Sequence, residues 1–261
     1  NFLKSRTSTR DFKEEKLSND LIEKLNKEMS DSALKHGEED INFALLTNCE
    51  EVYQKLQGFA GYKGIMIKAP AYIALNTLNN KPETYVKAAY AMEELITKLN
   101  ELSLGNCWIT LSEVSEEIKK SALKYENGDV SILLAIGYPM DESLKEHKYY
   151  DRLANSDLVY LDNFNQAASD EDLEQRGLSS IFDYAKYAPS AYNSQPWRFL
   201  IEGDKLSIYI KDYAGTVNLI DAGIIMYYID ELGKTIASNS KWDINPVLDA
   251  KEYTFIASKN L

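Results

Sequence analysis

Cysteine and histidine are almost missing from this 261-residue chain, with two of each. Cys49 and Cys107 form no CxxC pair, and His36 and His147 stand far from them and from each other in sequence. That spacing argues against a four-ligand zinc site, and no metal ligands are assigned. Two unpaired thiols suit a reducing compartment, so a cytoplasmic location is expected. No signal peptide is read, because Asn1-Phe2-Leu3-Lys4-Ser5-Arg6 turns polar at once. Glycine (12) and proline (6) are scarce, and 44% of residues are hydrophobic, which excludes collagen-like, low-complexity and disordered chains. No apolar run approaches the roughly 18–20 residues of a membrane span. Basic side chains are outnumbered 29 to 41, for a net charge of -12. Nucleic acid and anionic membrane surfaces are therefore not expected partners, since neutralising phosphates needs a basic face.

What is present describes a folded globule of one large domain or two small lobes. Leu21, Ile22, Leu25 and Met29 form one helical stripe, with Ser18 or Asn19 available as N-cap. Residues 41–46 and 71–75 read as short strands. Between Tyr85 and Leu102 the apolar positions step by three and four, predicting a long helix that ends near Gly105 and is buried on more than one side. A helix starting at Ser112 or Ser115, a buried strand over 132–136 and a Gly137-Tyr138-Pro139 turn follow. Residues 141–172 are polar and read as an extended connection between lobes. Beyond it come a helix from Leu178 through Tyr187, a hairpin of 197–201 against 206–210 turning at Glu202-Gly203-Asp204, a helix over 221–238 and a strand over 253–257. Without a regular βαβ rhythm, an α+β fold is favoured over a doubly wound one.

Three segments have the composition of a binding site. Arginine is rare, five against 24 lysines, yet Arg6 and Arg10 both fall in Arg6-Thr7-Ser8-Thr9-Arg10. Guanidinium forks beside three hydroxyls suit phosphate oxygens; the plain alternative is a solvated basic arm, which composition alone favours. Ala188-Pro189-Ser190-Ala191-Tyr192-Asn193-Ser194-Gln195-Pro196-Trp197 sets amide and hydroxyl groups between two prolines. It is suited to lie against a planar polar ring, or equally to be a tight helix-to-strand turn whose Asn193 and Gln195 satisfy backbone groups. The third, Leu102 to Thr110, carries Gly105, which lets backbone approach a ligand closely or merely ends the helix.

Together these segments resemble the nitroreductase family of FMN-dependent oxidoreductases. The likeness rests on Arg6-Thr7-Ser8-Thr9-Arg10-Asp11-Phe12, the 188–197 loop against the pattern APSxxNxQPW, and Ala69-Pro70 before a strand. It continues in Leu104-Gly105-Asn106-Cys107-Trp108 against GLGxCW, in Gly137-Tyr138-Pro139 and in Arg152. The order departs from the family: APSxxNxQPW ordinarily follows soon after the opening motif, whereas here that place is filled by 31–48 and the loop comes in the second half. The resemblance therefore implies two degenerate copies in tandem, a first lobe over 1–155 and a second over 156–261. These form a pseudo-dimer around mixed and antiparallel sheets flanked by helices, with one FMN site per chain. A monomer could suffice where relatives need a dimer.

Carried over by position, Arg6 and Arg152 would meet the FMN phosphate, with Thr7 and Ser8 there or along the ribityl chain. Arg10 would stand nearer the pyrimidine edge of the ring, where positive charge stabilises the reduced anionic flavin. Pro189, Ser190, Ala191 and Asn193 would lie against the ring system, and the backbone at Thr110 and Leu111 near its hydride-accepting nitrogen, with Thr110 where glycine is common. Lys63 is a further candidate for the ring edge. The implied reaction is ping-pong hydride transfer from NAD(P)H to a small-molecule acceptor such as a nitroaromatic or a quinone. No catalytic side chain is named, because the flavin carries the hydride chemistry. The readings set against this enzyme are an FMN-binding sensor or carrier with little turnover, and a structural relative without flavin.

Overall fold

The computed structural model describes residues 8–140, 151–234, 240–249 and 251–261. The chain divides into two compact units, one of residues 1–84 with 91–148, the other of residues 85–90 with 149–261.

In the first unit α1 (Asn19–His36) begins where the Ser18 hydroxyl accepts the Leu21 N–H at 3.3 Å, and it stops at Gly37, whose φ of 109° few other residues adopt. Leu25 and Met29 are its buried stripe. Strand β1 (Ile41–Leu46) follows, then α2 (Cys49–Leu56), which periodicity did not predict, and β2 (Ala71–Thr77). Helix α3 (Pro82–Glu101) opens on a proline, which tolerates the first helical position because the N–H it lacks would be unpaired there anyway. Val86, Met92, Leu95, Ile96 and Leu99 are all buried, as expected of a helix apolar on more than one side. Strand β3 (Gly105–Thr110), α4 (Glu116–Leu123), capped by Ser115, and β4 (Asp129–Gly137) complete the unit. The sheet is antiparallel in the order β1-β2-β4-β3, and the central β2 is buried along its whole length. One apolar cluster includes Val52, Leu56, Tyr72, Ile109 and Leu133.

The second unit corrects one expectation. The part of 141–172 that the structure describes is not an extended connection: α5 (Asn155–Leu158) leads into β5 (Val159–Leu161), and α6 (Asp170–Gln175) carries a capping box of Ser169 and Asp172. Strand β5 is three residues long, too short for a periodic signal, and it gains its place by parallel pairing with Phe199, Leu200 and Ile201. Helix α7 (Ser179–Ala185), a 3-10 turn (Ala191–Asn193), and the hairpin β6 (Trp197–Glu202) and β7 (Lys205–Lys211) follow. Gly203, at φ 59°, makes that hairpin turn. Helix α8 (Thr216–Gly233) starts earlier than expected and is apolar nearly all round, the pattern of a helix buried on most sides. Strands β8 (Asp243–Ile244) and β9 (Tyr253–Asn260) close a mixed sheet in the order β5-β6-β7-β9-β8. Residues 85–90 of α3 pack here on α8: Tyr90 meets Tyr227 edge-on at 5.3 Å and its hydroxyl donates to Asp230 Oδ2 at 2.8 Å. Asp230 Oδ1 accepts from buried Lys259 at 2.8 Å and from the Trp242 indole at 2.9 Å, so this carboxylate is paired on both oxygens.

Candidate functional site

The opening segment lies along one end of the first sheet. Ser8 makes a parallel bridge with Asn106, the Thr9 N–H donates to the Asn106 carbonyl at 2.8 Å, and Phe12 bridges Pro139. Gly105 explains how the segment comes so near: a Cβ there would stand 2.5 Å from Thr9 Oγ1. The space beside this glycine is thus filled by the chain itself, which is the close approach its missing side chain permits. Gly137, opposite Gly105 in the strand pairing, is likewise pressed by Pro70 and Phe12. Ser8 and Arg10 are both exposed at this sheet end. Arg6 and Thr7 lie outside the described residues.

Thr110 and Leu111 sit at the other end of β3, about 17 Å away at a rise of roughly 3.4 Å per residue. Thr110 is half-buried with its hydroxyl 3.1 Å from Ser112 Oγ, and Leu111 is buried. The Thr110 carbonyl accepts the Gly61 N–H at 2.9 Å, which docks the glycine-rich 58–66 loop beside it. That loop exposes Phe59, Tyr62 and Ile65, and Lys63 lies over the Tyr62 ring at 5.3 Å.

In the second unit the 188–197 loop and Arg152 come together. The Arg152 guanidinium donates to Asn193 Oδ1 and to the Tyr187 carbonyl, and lies 5.9 Å from the Tyr187 ring centre. Asn193 Nδ2 donates to the Asp151 carbonyl at 3.0 Å, and Gln195 Oε1 accepts the Leu153 N–H at 2.9 Å. Ser190 Oγ accepts the Gln195 N–H at 3.0 Å. Asn193 and Gln195 thus satisfy backbone groups, as a tight helix-to-strand turn requires, and the turn also gathers a guanidinium, an amide and a hydroxyl. Pro189, Ser190, Ala191 and Asn193 remain partly accessible. Tyr192, Asn193 and Gln195 all have left-handed backbone, at φ 54°, 55° and 47°. Non-glycine residues in that region cost of order 1 kcal/mol each and persist only where surrounding contacts hold them.

One of those contacts comes from a residue that sequence reasoning missed. The Ala191 N–H donates at 2.9 Å to Oδ1 of Asp221, a carboxyl only 2% exposed in the second turn of α8. Burial pushes its pKa up to about 7, against the opposing pull of the Ala191 N–H. An aspartate inside Leu219-Ile220-Asp221-Ala222-Gly223-Ile224-Ile225 was the available signal, since an acid within an apolar stretch of helix needs a partner.

Among the described residues no group of three or more His, Cys, Asp or Glu could hold a metal, and no helix is long and apolar enough to cross a membrane. Helices on an antiparallel and a mixed sheet define an α+β fold, with arginine, amide and hydroxyl groups gathered on its loops. The family model described as "Putative TM nitroreductase" matches residues 1–231, and the chain belongs to that nitroreductase family and is an oxidoreductase. No curated protein sequence matches it. Among solved structures, a protein described as a putative nitroreductase from Thermotoga maritima is similar at 18% identity and a TM-score of 0.59, over 100% of this chain and 92% of that one. An FMN-dependent nitroreductase from Clostridium difficile matches at 22% identity and a TM-score of 0.45, over 59% and 98%. A nitroreductase with bound FMN from Bacteroides fragilis matches at 16% and 0.47, over 57% and 92%.

Proposed function

We propose that the chain is an FMN-dependent NAD(P)H oxidoreductase that passes hydride to small oxidised acceptors such as nitroaromatics or quinones. The observation that carries this reading is the contact between Arg152 and Asn193. The resemblance assigns both to FMN, and they stand 41 residues apart in sequence yet hydrogen-bond to each other. The donor set fits the cofactor: guanidinium and hydroxyl groups suit its phosphate and ribityl chain, and a proline-bracketed amide turn suits the edge of its ring.

When bound, FMN supplies the hydride chemistry. The chain's own residues bind and orient. Arg152 would exchange its present acceptors, the Asn193 amide oxygen and the Tyr187 carbonyl, for phosphate oxygens. Arg10, exposed in a chain of net charge -12, would lend positive charge where negative charge develops on reduction. The division into two tandem nitroreductase-like lobes, with boundaries near residue 155, belongs to the same proposal, as does sufficiency of the monomer.

The test is direct. The purified protein should carry flavin absorbance or acquire it when FMN is added, and anaerobic NADH or NADPH should bleach it. Arg152→Ala should weaken FMN binding by about tenfold or more, the value of a charge-assisted hydrogen bond. Failure to bind added FMN would end the reading. Bound flavin that stays oxidised with both nucleotides would identify a carrier instead.

A further inference from the structure

We infer that Asp221 is the positioning residue of the 188–197 loop: its buried carboxyl holds the Ala191 N–H and through it sets the Ser190 to Gln195 turn. Most of the turn's side-chain ties run to residues 151–153, while its C-terminal end continues into β6, where the Gln195 carbonyl accepts from Arg198 at 2.9 Å and the Pro196 carbonyl from the Lys211 N–H at 2.8 Å. Asn193 Nδ2 and Gln195 Nε2 donate to the Asp151 carbonyl, Gln195 Oε1 accepts from Leu153 N–H, and Arg152 donates to Asn193 Oδ1. The hydrogen bonds inside the turn, from Asn193 N–H to Ser190 O and from Ser194 N–H to Ala191 O, leave the Ala191 N–H unused. Asp221 Oδ1 supplies its acceptor from α8 at 2.9 Å, tying the start of the turn to a second element besides residues 151–153. Held by both, three departures into left-handed backbone within four residues, at Tyr192, Asn193 and Gln195, become tolerable.

The identity of the group is informative. A neutral amide would give Ala191 the same acceptor, yet the chain keeps a carboxyl whose Oδ2 is buried without a hydrogen-bond partner. Titratable side chains on the elements packed against α8, among them Asp183 of α7, Arg198 of β6 and Tyr192 of the turn, add nothing to its shift. Burial dominates, so ionisation leaves a buried charge that the Ala191 N–H alone only partly compensates, and opening the turn toward water relieves it. The turn is therefore firm while the acid is protonated and loosens as pH rises through neutrality. Pro189, Ser190, Ala191 and Asn193 ride on it, so the consequence for cofactor binding rests on the FMN reading, whereas the anchoring itself does not.

The experiment uses the full-length chain without flavin. Amide hydrogen exchange at Ala191, corrected for intrinsic rate, is followed between pH 5 and 9 in wild type, Asp221→Asn and Asp221→Ala. Asp221→Ala should exchange about tenfold faster at pH 5, because an N–H loses its acceptor. Asp221→Asn should keep protection at every pH, while wild type loses it above neutrality. Unchanged exchange in Asp221→Ala, or the same pH profile in Asp221→Asn as in wild type, would overturn the assignment. Should Asp221→Ala fail to fold, the comparison of Asp221→Asn with wild type still decides. FMN titration of the same proteins then reads the separate question: the exchange pattern standing without FMN binding would refute the flavin reading and leave the anchor intact.

Discussion

Gly223→Ala puts the packing of the second unit to the hardest test. A Cβ built on Gly223 stands 2.2 Å from the Val86 carbonyl oxygen, 2.8 Å from Ala89 Cβ and 3.0 Å from Tyr90 N. Two of these three neighbours are helical backbone, which cannot swing aside as the end of a side chain can. Alanine is worth about 1 kcal/mol over glycine within a helix. Forcing a methyl group into a filled contact costs about 1–3 kcal/mol, here at the upper end because residues 85–90 of α3 and helix α8 must separate. The net expectation is a loss of about 2 kcal/mol, or about 4–8 °C in Tm. Gly233, in the same helix, has nothing within 4 Å of its would-be Cβ. Gly233→Ala, at the last residue of the helix where propensity counts for less than in the interior, should therefore gain about 0.5 kcal/mol. Thermal and urea denaturation of the two variants against wild type reads the difference. If Gly223→Ala proved as stable as Gly233→Ala, the close crossing of these helices, and the placement of Asp221 two residues earlier, would be wrong.

Two carboxyls of opposite behaviour make further predictions about pH. Asp221 has a folded pKa near 7, above its ordinary 3.8, so its contribution is full below pH 4 and is lost as pH rises to about 7. Three units at about 1.4 kcal/mol each set a ceiling of about 4 kcal/mol, and Asp221→Asn should abolish this slope and exceed wild type in stability at pH 8; urea melts at pH 5 and 8 with parallel changes in both proteins would refute it. Glu94 is the reverse case. Burial opposes its ionisation, but hydrogen bonds from His36, at 2.8 Å, and Lys35 outweigh that and lower its pKa to about 2. Its contribution is present above pH 4.5 and lost as pH falls through about 2. Partly exposed, it is worth about 2 kcal/mol, so Glu94→Gln should lower neutral-pH stability by that amount and converge with wild type in acid, as acid titration followed by circular dichroism would show.

The elements legible in the sequence were those whose signal is local. Ser18 as N-cap, the strand over 41–46, the buried face of α3 and the hairpin at Gly203 each follow from periodicity or turn chemistry within a few residues. Helix α2 was missed because eight residues give only two buried positions, Val52 and Leu56, too few to establish a period. The motifs at 8–12, 104–108 and 188–197 were equally visible, because a guanidinium, a glycine or a proline-bracketed amide has recognisable chemistry wherever it lies.

Composition and pattern by themselves determined an acidic α+β globule with its rare arginines placed at candidate ligand contacts. Tertiary structure decided what those residues touch. Strand β5 exists through partners some 40 residues downstream, Thr9 fills the space beside Gly105, Arg152 finds Asn193, and Asp221 finds the Ala191 N–H. Each of these is a long-range contact between groups that have several possible partners in the unfolded chain. Which partner is realised depends on how the packed helices and sheets bring distant segments together, and no window of sequence carries that information.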